Sequence, residues 1–299
     1  REYLFNNFSN LLIANIPFIS SRNTTNSNFN FDKFYIKYSE IYPNKTKPSN
    51  SFLEWFIGFS EGDGSFIINK RGNVIFVITQ STSDVKVLYY IMNNLGFGKV
   101  IQQSKSSKTH RFIVQDIKNL LLICLIFNGN MVFPTKNSRF QVFLAAFNDL
   151  SLRMNRLALE PIITTILPTL KDYWLSGITD SEGCFTLSLL NNSNAYRLRF
   201  IISQKWEANK IILDHISSLF GVGVVSAHFV SDNYEYIVNG IKNTEFIIPY
   251  FDEKGLLTNK KNSYLLWKEL RNQIINGKHL NKDSRMEMVL ATKQINKKI

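Results

Sequence analysis

A chain of 299 residues, 44% of them hydrophobic, carries enough apolar material for one large core or two ordinary ones. Its 35 basic and 23 acidic residues leave a formal net charge of +12, which points to a polyanionic partner, nucleic acid first. Cys124 and Cys184 are too few for a disulfide framework or a zinc knuckle, and the longest apolar run, Leu120 to Phe127, is too short for a membrane span. Both cysteines read as small buried residues in a reducing compartment.

In chain order, residues 1–50 are rich in Asn and Ser and are expected to be an appended or poorly ordered extension. They lack the pattern of a secretory signal, and the start at Arg1 suggests a piece of a longer reading frame. Heavy use of Asn, Lys, Ile and Phe suggests an AT-rich, organellar gene, and hence a mitochondrial protein.

From residue 51 one unit is written twice, as 51–150 and 173–299, joined by a linker over 151–172 that holds Pro161 and Pro168. Trp55 to Phe66 aligns with Trp174 to Phe185. Further matches follow in order: Phe76–Gln80 with Phe200–Gln204, Leu95–Val100 with Leu219–Val225, and Arg111–Val114 with Tyr234–Val238. Lys136-Asn137-Ser138 matches Lys261-Asn262-Ser263. Each copy predicts a short helix closed by Gly64 or Gly183 in the left-handed conformation. A strand pair follows, 65–71 with 74–81 and 184–191 with 196–204. An amphipathic helix comes next, 84–95 or 207–219. A second strand pair, 98–104 with 109–115 and 223–230 with 234–239, leads to a final helical stretch. The pattern αββαββα, twice, is an α+β architecture.

Gly58 and Gly62 in the first motif helix, and Gly177 and Ser181 in the second, stand four residues apart, on one face of each helix. Small residues there let two backbones approach closely. If the two helices pack on one another, Asp63 and Glu182 meet at their C-terminal ends, where carboxylates are unfavourable beside the helix dipole and beside each other. An acid after a helix is ordinarily a solvated cap. The same breach at both equivalent positions instead implies a cation between them, and hard oxygen ligands suit Mg²⁺. Glu61 and Asp180, one step off that junction, are expected behind those acids or at the surface.

The segment Phe56-Ile57-Gly58-Phe59-Ser60-Glu61-Gly62-Asp63-Gly64 resembles the LAGLIDADG signature, and Leu175 to Gly183 is a second copy. The resemblance covers roughly residues 51 to 290 and implies a LAGLIDADG homing endonuclease of the single-chain, two-motif, intron-encoded type. It implies two pseudo-symmetric αββαββα halves packed through paired LAGLIDADG helices, each with a curved antiparallel DNA-binding β-sheet. It also implies a monomer that cuts both strands of a long, non-palindromic duplex site and leaves short 3′ overhangs. Asp63 and Glu182, with the backbone carbonyls of Gly62 and Ser181, are then the ligands of Mg²⁺, or of Mn²⁺ or Ca²⁺ in its place. Gln80, Gln204, Lys136 and Lys261 match the positions that orient water and neutralise phosphate; Lys260 beside Lys261 leaves that register open by one residue. Asp63 opposite Glu182 departs from symmetry, so unequal cutting of the two strands is expected.

Strand alternation sorts the remaining candidates. Phe66, Ile68, Val74, Phe76 and Ile78 fall on the core face of the first copy, as do Phe185, Leu187, Leu189, Leu198, Phe200 and Ile202 in the second. The opposite faces carry Ile67, Asn69, Arg71, Asn73, Ile75 and Val77, and Thr186, Ser188, Leu190, Arg197, Arg199 and Ile201. The later strands add Gln103, Lys105 and Arg111, and Ser226 and His228. A β-ribbon fits the major groove, where Arg addresses guanine and Asn adenine. Two further readings stay open: a maturase that binds its own intron RNA, and a catalytically silent DNA-binding protein. Retention of both acids favours the nuclease. His110, His215, His228 and His279 form no metal-ligand pattern, and no Gly-rich phosphate loop or nucleophile triad occurs.

Overall fold

The computed structural model describes residues 28–296 apart from Lys105, Asn191 and Asn192. Expectations for residues 1–27 and for Lys105 lie outside the described residues. Chain contacts divide the protein into two compact units after Ile178.

The first unit opens with a helix that the Asn- and Ser-rich composition hid. Helix α1 (Asp32–Ile41) buries Phe34 and Tyr38, four residues apart, against helix α4 (Ile117–Phe127). Asn30 and Asn130 exchange hydrogen bonds of 2.9 and 2.8 Å, and the Tyr38 hydroxyl donates to Leu95 O at 3.1 Å. The stretch 28–50 is therefore packed structure, and the expectation of a loose extension fails there.

Helix α2 (Asn50–Asp63) starts at Ser49, whose Oγ accepts from Phe52 N at 3.2 Å. It is buried continuously from Phe52 to Glu61, as a helix apolar on all sides must be. Strands β1 (Gly64–Ile68), β2 (Val74–Ser81), β3 (Lys99–Gln102) and β4 (Thr109–Val114) form an antiparallel sheet in the order β1-β2-β4-β3. β1 ends earlier than expected because Asn69 Oδ1 accepts from Arg71 N and Asn73 N, turning the chain. Helix α3 (Val85–Leu95) buries Val87, Leu88, Ile91 and Leu95 and closes on left-handed Gly96 (φ 72). The expected final helical stretch is two helices, α4 and α5 (Pro134–Arg153).

The linker runs back along this unit, held by asparagines. Asn128 and Asn148 each donate to and accept from its backbone, at Glu160 O and Ile162 N and at Leu159, with distances of 2.8 to 2.9 Å. The linker leads into helix α6 (Trp174–Glu182), which crosses the boundary between the units.

The second unit repeats the pattern. Strands β5 (Gly183–Leu189), β6 (Tyr196–Lys205), β7 (Val224–Ala227) and β8 (Asn233–Asn239) pair in the order β5-β6-β8-β7. Helix α7 (Lys210–Phe220) closes on left-handed Gly221 (φ 66). Helices α8 (Ile241–Thr244), α9 (Ile248–Lys254), α10 (Lys260–Ile275) and α11 (Lys282–Thr292) follow.

Two expectations are corrected. Gly64 is extended (φ −78, ψ 146) and begins β1 rather than closing a helix in the left-handed region. Space explains the glycines: a Cβ at Gly64 would meet Ser60 O at 2.5 Å, and one at Gly183 would meet Thr179 Cγ2 at 2.6 Å. Cys124 is buried as expected, but Cys184 is only partly covered, its Sγ 3.4 Å from the Asn296 side-chain amide.

Candidate active site and nucleic-acid interface

Within the first unit, α2 packs on the first turn of α6 at backbone contact. A Cβ on Gly58 would overlap Trp174 O and stand 2.9 Å from Ile178 N. Reciprocally, a Cβ on Gly177 would overlap Trp55 O and stand 2.8 Å from Phe59 N. The small residues singled out by their spacing therefore do allow two backbones to touch, at Gly58 and Gly177.

Asp63 is the last residue of α2, and two side chains from other elements converge on this helix end. Gln80, near the end of β2, donates from Nε2 to Asp63 Oδ2 at 2.5 Å. Lys136, in the first turn of α5, donates from Nζ to Gly62 O at 3.2 Å. In the second unit Lys260 Nζ donates to Ser181 O at 3.2 Å and to Gly183 O at 2.6 Å. Lys260, not Lys261, is thus the counterpart of Lys136. Lys261 is exposed, one step round α10. Gln204 is buried at the end of β6, and Glu182, the last residue of α6, is exposed.

The residues one step back are more deeply placed than their sequence position suggests. Glu61 is wholly buried: Oε1 accepts from Val132 N and Phe133 N at 2.9 and 2.7 Å, and Oε2 from Trp174 Nε1 at 2.6 Å. Burial pushes its carboxyl up to about 7, against the lowering effect of those donors and of Lys136 nearby. Asp180, also buried, accepts from Leu257 N and Thr258 N at 2.9 and 3.0 Å and from Thr258 Oγ1 at 2.6 Å. Each acid therefore anchors the backbone just before the helix that carries Lys136 or Lys260. Neither is a surface residue. The duplication itself held the clue, since both copies keep an acid there.

The donor set at the motif ends fits a hard divalent cation. Each half offers a carboxylate and helix-terminal carbonyl oxygens, and an ammonium group already rests against Gly62 O and Ser181 O. Among the described residues no group of three or more His, Cys, Asp or Glu side chains could hold a metal on its own.

The sheet faces follow the expected alternation with named exceptions. In the first sheet Ile67 pairs with Ile75, and Val77 with Ile113, which pairs in turn with Lys99. Ile67 is exposed and Ile75 partly so, but Val77 is only 6% exposed and is covered by its neighbours. Asn69, Arg71 and Asn73 form the β1–β2 turn, with Asn69 Oδ1 committed to it, and exposed Gln103 accepts from Thr109 Oγ1. In the second sheet Thr186 pairs with Arg199 and Ser188 with Arg197, while Ile201 and Ser226 share that face. Leu190 lies just past β5, and His228 follows β7. Sequence reasoning missed Thr79, Ser203 and Glu235 on these same faces; counting outward from the core residues Ile78, Ile202 and Tyr236 finds them.

The model of the LAGLIDADG endonuclease family matches residues 56–147 and 175–270, and the chain belongs to that family. It is 37% identical over 252 residues, 82% of its length, to the probable intron-encoded endonuclease 4 of Neurospora crassa, and spans 44% of that relative. An uncharacterized 37.2 kDa protein of cox1 intron 2 of Schizosaccharomyces pombe is 27% identical over 82% of the chain and 73% of its own length. Among solved structures, the I-LtrWI LAGLIDADG homing endonuclease bound to target DNA superposes with a TM-score of 0.67. That likeness covers 84% of this chain and 99% of the other at 21% identity. I-SmaMI, bound to an uncleaved DNA target with calcium ions, superposes at 0.65 and 17% identity, covering 82% and 99%. These likenesses establish the two-halves α+β fold.

Proposed function

We propose that the chain is a monomeric, site-specific endonuclease that hydrolyses both strands of a long, non-palindromic DNA duplex, leaving short 3′ overhangs. The observation that carries this reading is the convergence of Asp63, Gln80 and Lys136 on the end of the first motif helix. The motif end of the second half likewise holds Glu182 and Lys260, and Gln204 closes the matching strand. The relatives' names and the DNA-bound fold neighbours support the same reading. Relatives named for cox1 and ND4 introns, with the heavy use of Asn, Lys, Ile and Phe, support a mitochondrial gene.

Asp63 with the carbonyl of Gly62 in the first unit, and Glu182 with the carbonyl of Ser181 in the second, would hold divalent metal. Such a metal lowers the pKa of bound water and offsets charge on the attacked phosphate. The chain's own side chains do the remaining work. The Lys136 and Lys260 ammonium groups, placed by helices anchored on Glu61 and Asp180, offset negative charge that grows on the phosphate oxygens. Gln80 fixes one carboxylate oxygen of Asp63 and, through its amide oxygen, can accept a hydrogen bond from the attacking water and so orient it. The outward strand faces fix the duplex before hydrolysis.

A plasmid carrying the intron-less insertion sequence tests this. With Mg²⁺ the protein should linearise it, and end mapping should show 3′ overhangs; with EDTA the plasmid should stay supercoiled. Specific binding without cleavage in Mg²⁺ would contradict the enzymatic reading.

A further inference from the structure

Strands β4 and β8 hold the same place in their halves, each between the second strand of its sheet and the edge strand. Phe112 and Tyr236 mark equivalent positions on them. Both are buried, and the ring of each closes on a left-handed glycine, Gly98 (φ +89) or Gly223 (φ +91). One residue earlier, on the opposite face, stand Arg111 in the first half and Glu235 in the second. Arg111 is flanked across the sheet by Thr79 and Ile101, and Glu235 by Ser203 and Ser226. One position thus carries opposite charge in the two copies.

The surroundings of both side chains ask for a ligand. Among the described residues the Arg111 Nε, shielded from solvent, has no hydrogen-bond partner, a costly state that an incoming acceptor would relieve. Among the described residues, Glu235 is held from one side only. Its Oε1 accepts from Ser203 Oγ at 3.0 Å, and His228 Nε2 stands 3.8 Å from the same oxygen. His228 Nδ1 accepts from Val230 N at 3.1 Å, so the ring presents its Nε2–H toward the carboxylate. An acid on a face that meets phosphates is repelled unless it addresses a donor. In the major groove the donors are the amino groups of cytosine and adenine. Adenine sets its N7 acceptor beside its amino group, whereas cytosine offers N4 alone. Guanine, with O6 and N7, matches Arg and repels Glu.

Resting on the duplex-DNA reading above, we propose that Glu235 selects cytosine in one half-site at the position where Arg111 selects guanine in the other. The charge reversal makes the two half-sites differ at a pair where a symmetric dimer would read the same base.

The test uses duplexes spanning the intron-insertion junction, each base pair substituted singly, with binding measured by competition in Ca²⁺. Wild type should discriminate about ten- to a hundredfold at one cytosine contact and one guanine contact. Glu235→Gln should move the preference at its pair alone toward adenine, which Gln addresses through N6 and N7. Arg111→Gln should do the same at its guanine, in the other half-site. A structural role would instead weaken all duplexes evenly, and an even loss or an unchanged profile overturns the proposal. Wild type that fails to prefer the junction duplex over a scrambled one removes the DNA reading itself. Wild type that binds specifically while Glu235→Gln keeps its profile removes this inference alone.

Discussion

Replacing Gly58 by alanine gives two competing effects whose sum has a definite sign. In an uncrowded helix interior the change stabilises by about 1 kcal/mol, because alanine loses less backbone freedom. Here the added methyl overlaps Trp174 O and stands 2.9 Å from Ile178 N, against an ordinary separation of about 3.5 to 4.0 Å. The two backbones must part by at least about 0.6 Å at Ile178 N, and by more to clear Trp174 O, since neither contact is a side chain that can rotate away. Overpacking of this kind costs about 1–3 kcal/mol, with rigid backbone at the upper end. The net expectation is a loss of about 2 kcal/mol, or roughly 4 to 8 °C in melting temperature for a domain of this size. Asp63 ends the same helix, and a displacement of ~1 Å at a reacting group costs on the order of a hundredfold in rate. Differential scanning fluorimetry and single-turnover cleavage measure both. A Gly58→Ala protein that melts higher than wild type and cuts at the wild-type rate would refute the close packing of α2 on α6.

The buried Glu61 predicts a pH signature. Its folded carboxyl titrates near 7, against about 4.5 when unfolded, so folding retains a proton that the unfolded chain releases. Its contribution is therefore complete below about 4.5 and is lost as pH rises toward 7, by up to about 3 kcal/mol. Urea midpoints at pH 5 and pH 8 should show wild type losing stability relative to Glu61→Gln across that interval; parallel curves would contradict the assignment. Lys136→Met and Lys260→Met should each lower the cleavage rate about a hundredfold, as loss of one charge-stabilising donor does. Lys261→Met should stay within about two- to threefold of wild type, as an exposed substitution does. A reversed order at Lys260 and Lys261 would restore the register first expected. Asp63 Oδ2 is fixed by Gln80 while Glu182 is exposed, so the two strands of a supercoiled substrate should be nicked at unequal rates; equal rates would count against that asymmetry.

Much of this was legible because the chain repeats itself. A repeat reveals equivalent residues, so the positions of Asp63 and Glu182 and the parity of the paired strands followed from order and spacing. What stayed hidden depends on contacts between distant segments. Nothing in the spacing places Glu61 against the backbone at Val132 and Phe133, because that needs α2 and the start of α5 brought together across 71 residues. Helix phase decides between Lys260 and Lys261, and one residue turns a side chain by about 100°. Composition misled at the N-terminus, where an Asn- and Ser-rich stretch carries the buried pair Phe34 and Tyr38. At Gly64 the residue type was informative but its reason was not: the glycine answers to crowding by Ser60 rather than to a left-handed turn.

The most direct test of the central claim is cleavage of the insertion-site duplex, each strand labelled separately, by wild type, Asp63→Asn and Glu182→Gln in Mg²⁺. The account predicts that wild type cuts both strands, and that each substitution abolishes cutting of at least one strand while specific binding persists. Double-strand cleavage at the wild-type rate by both variants would contradict it.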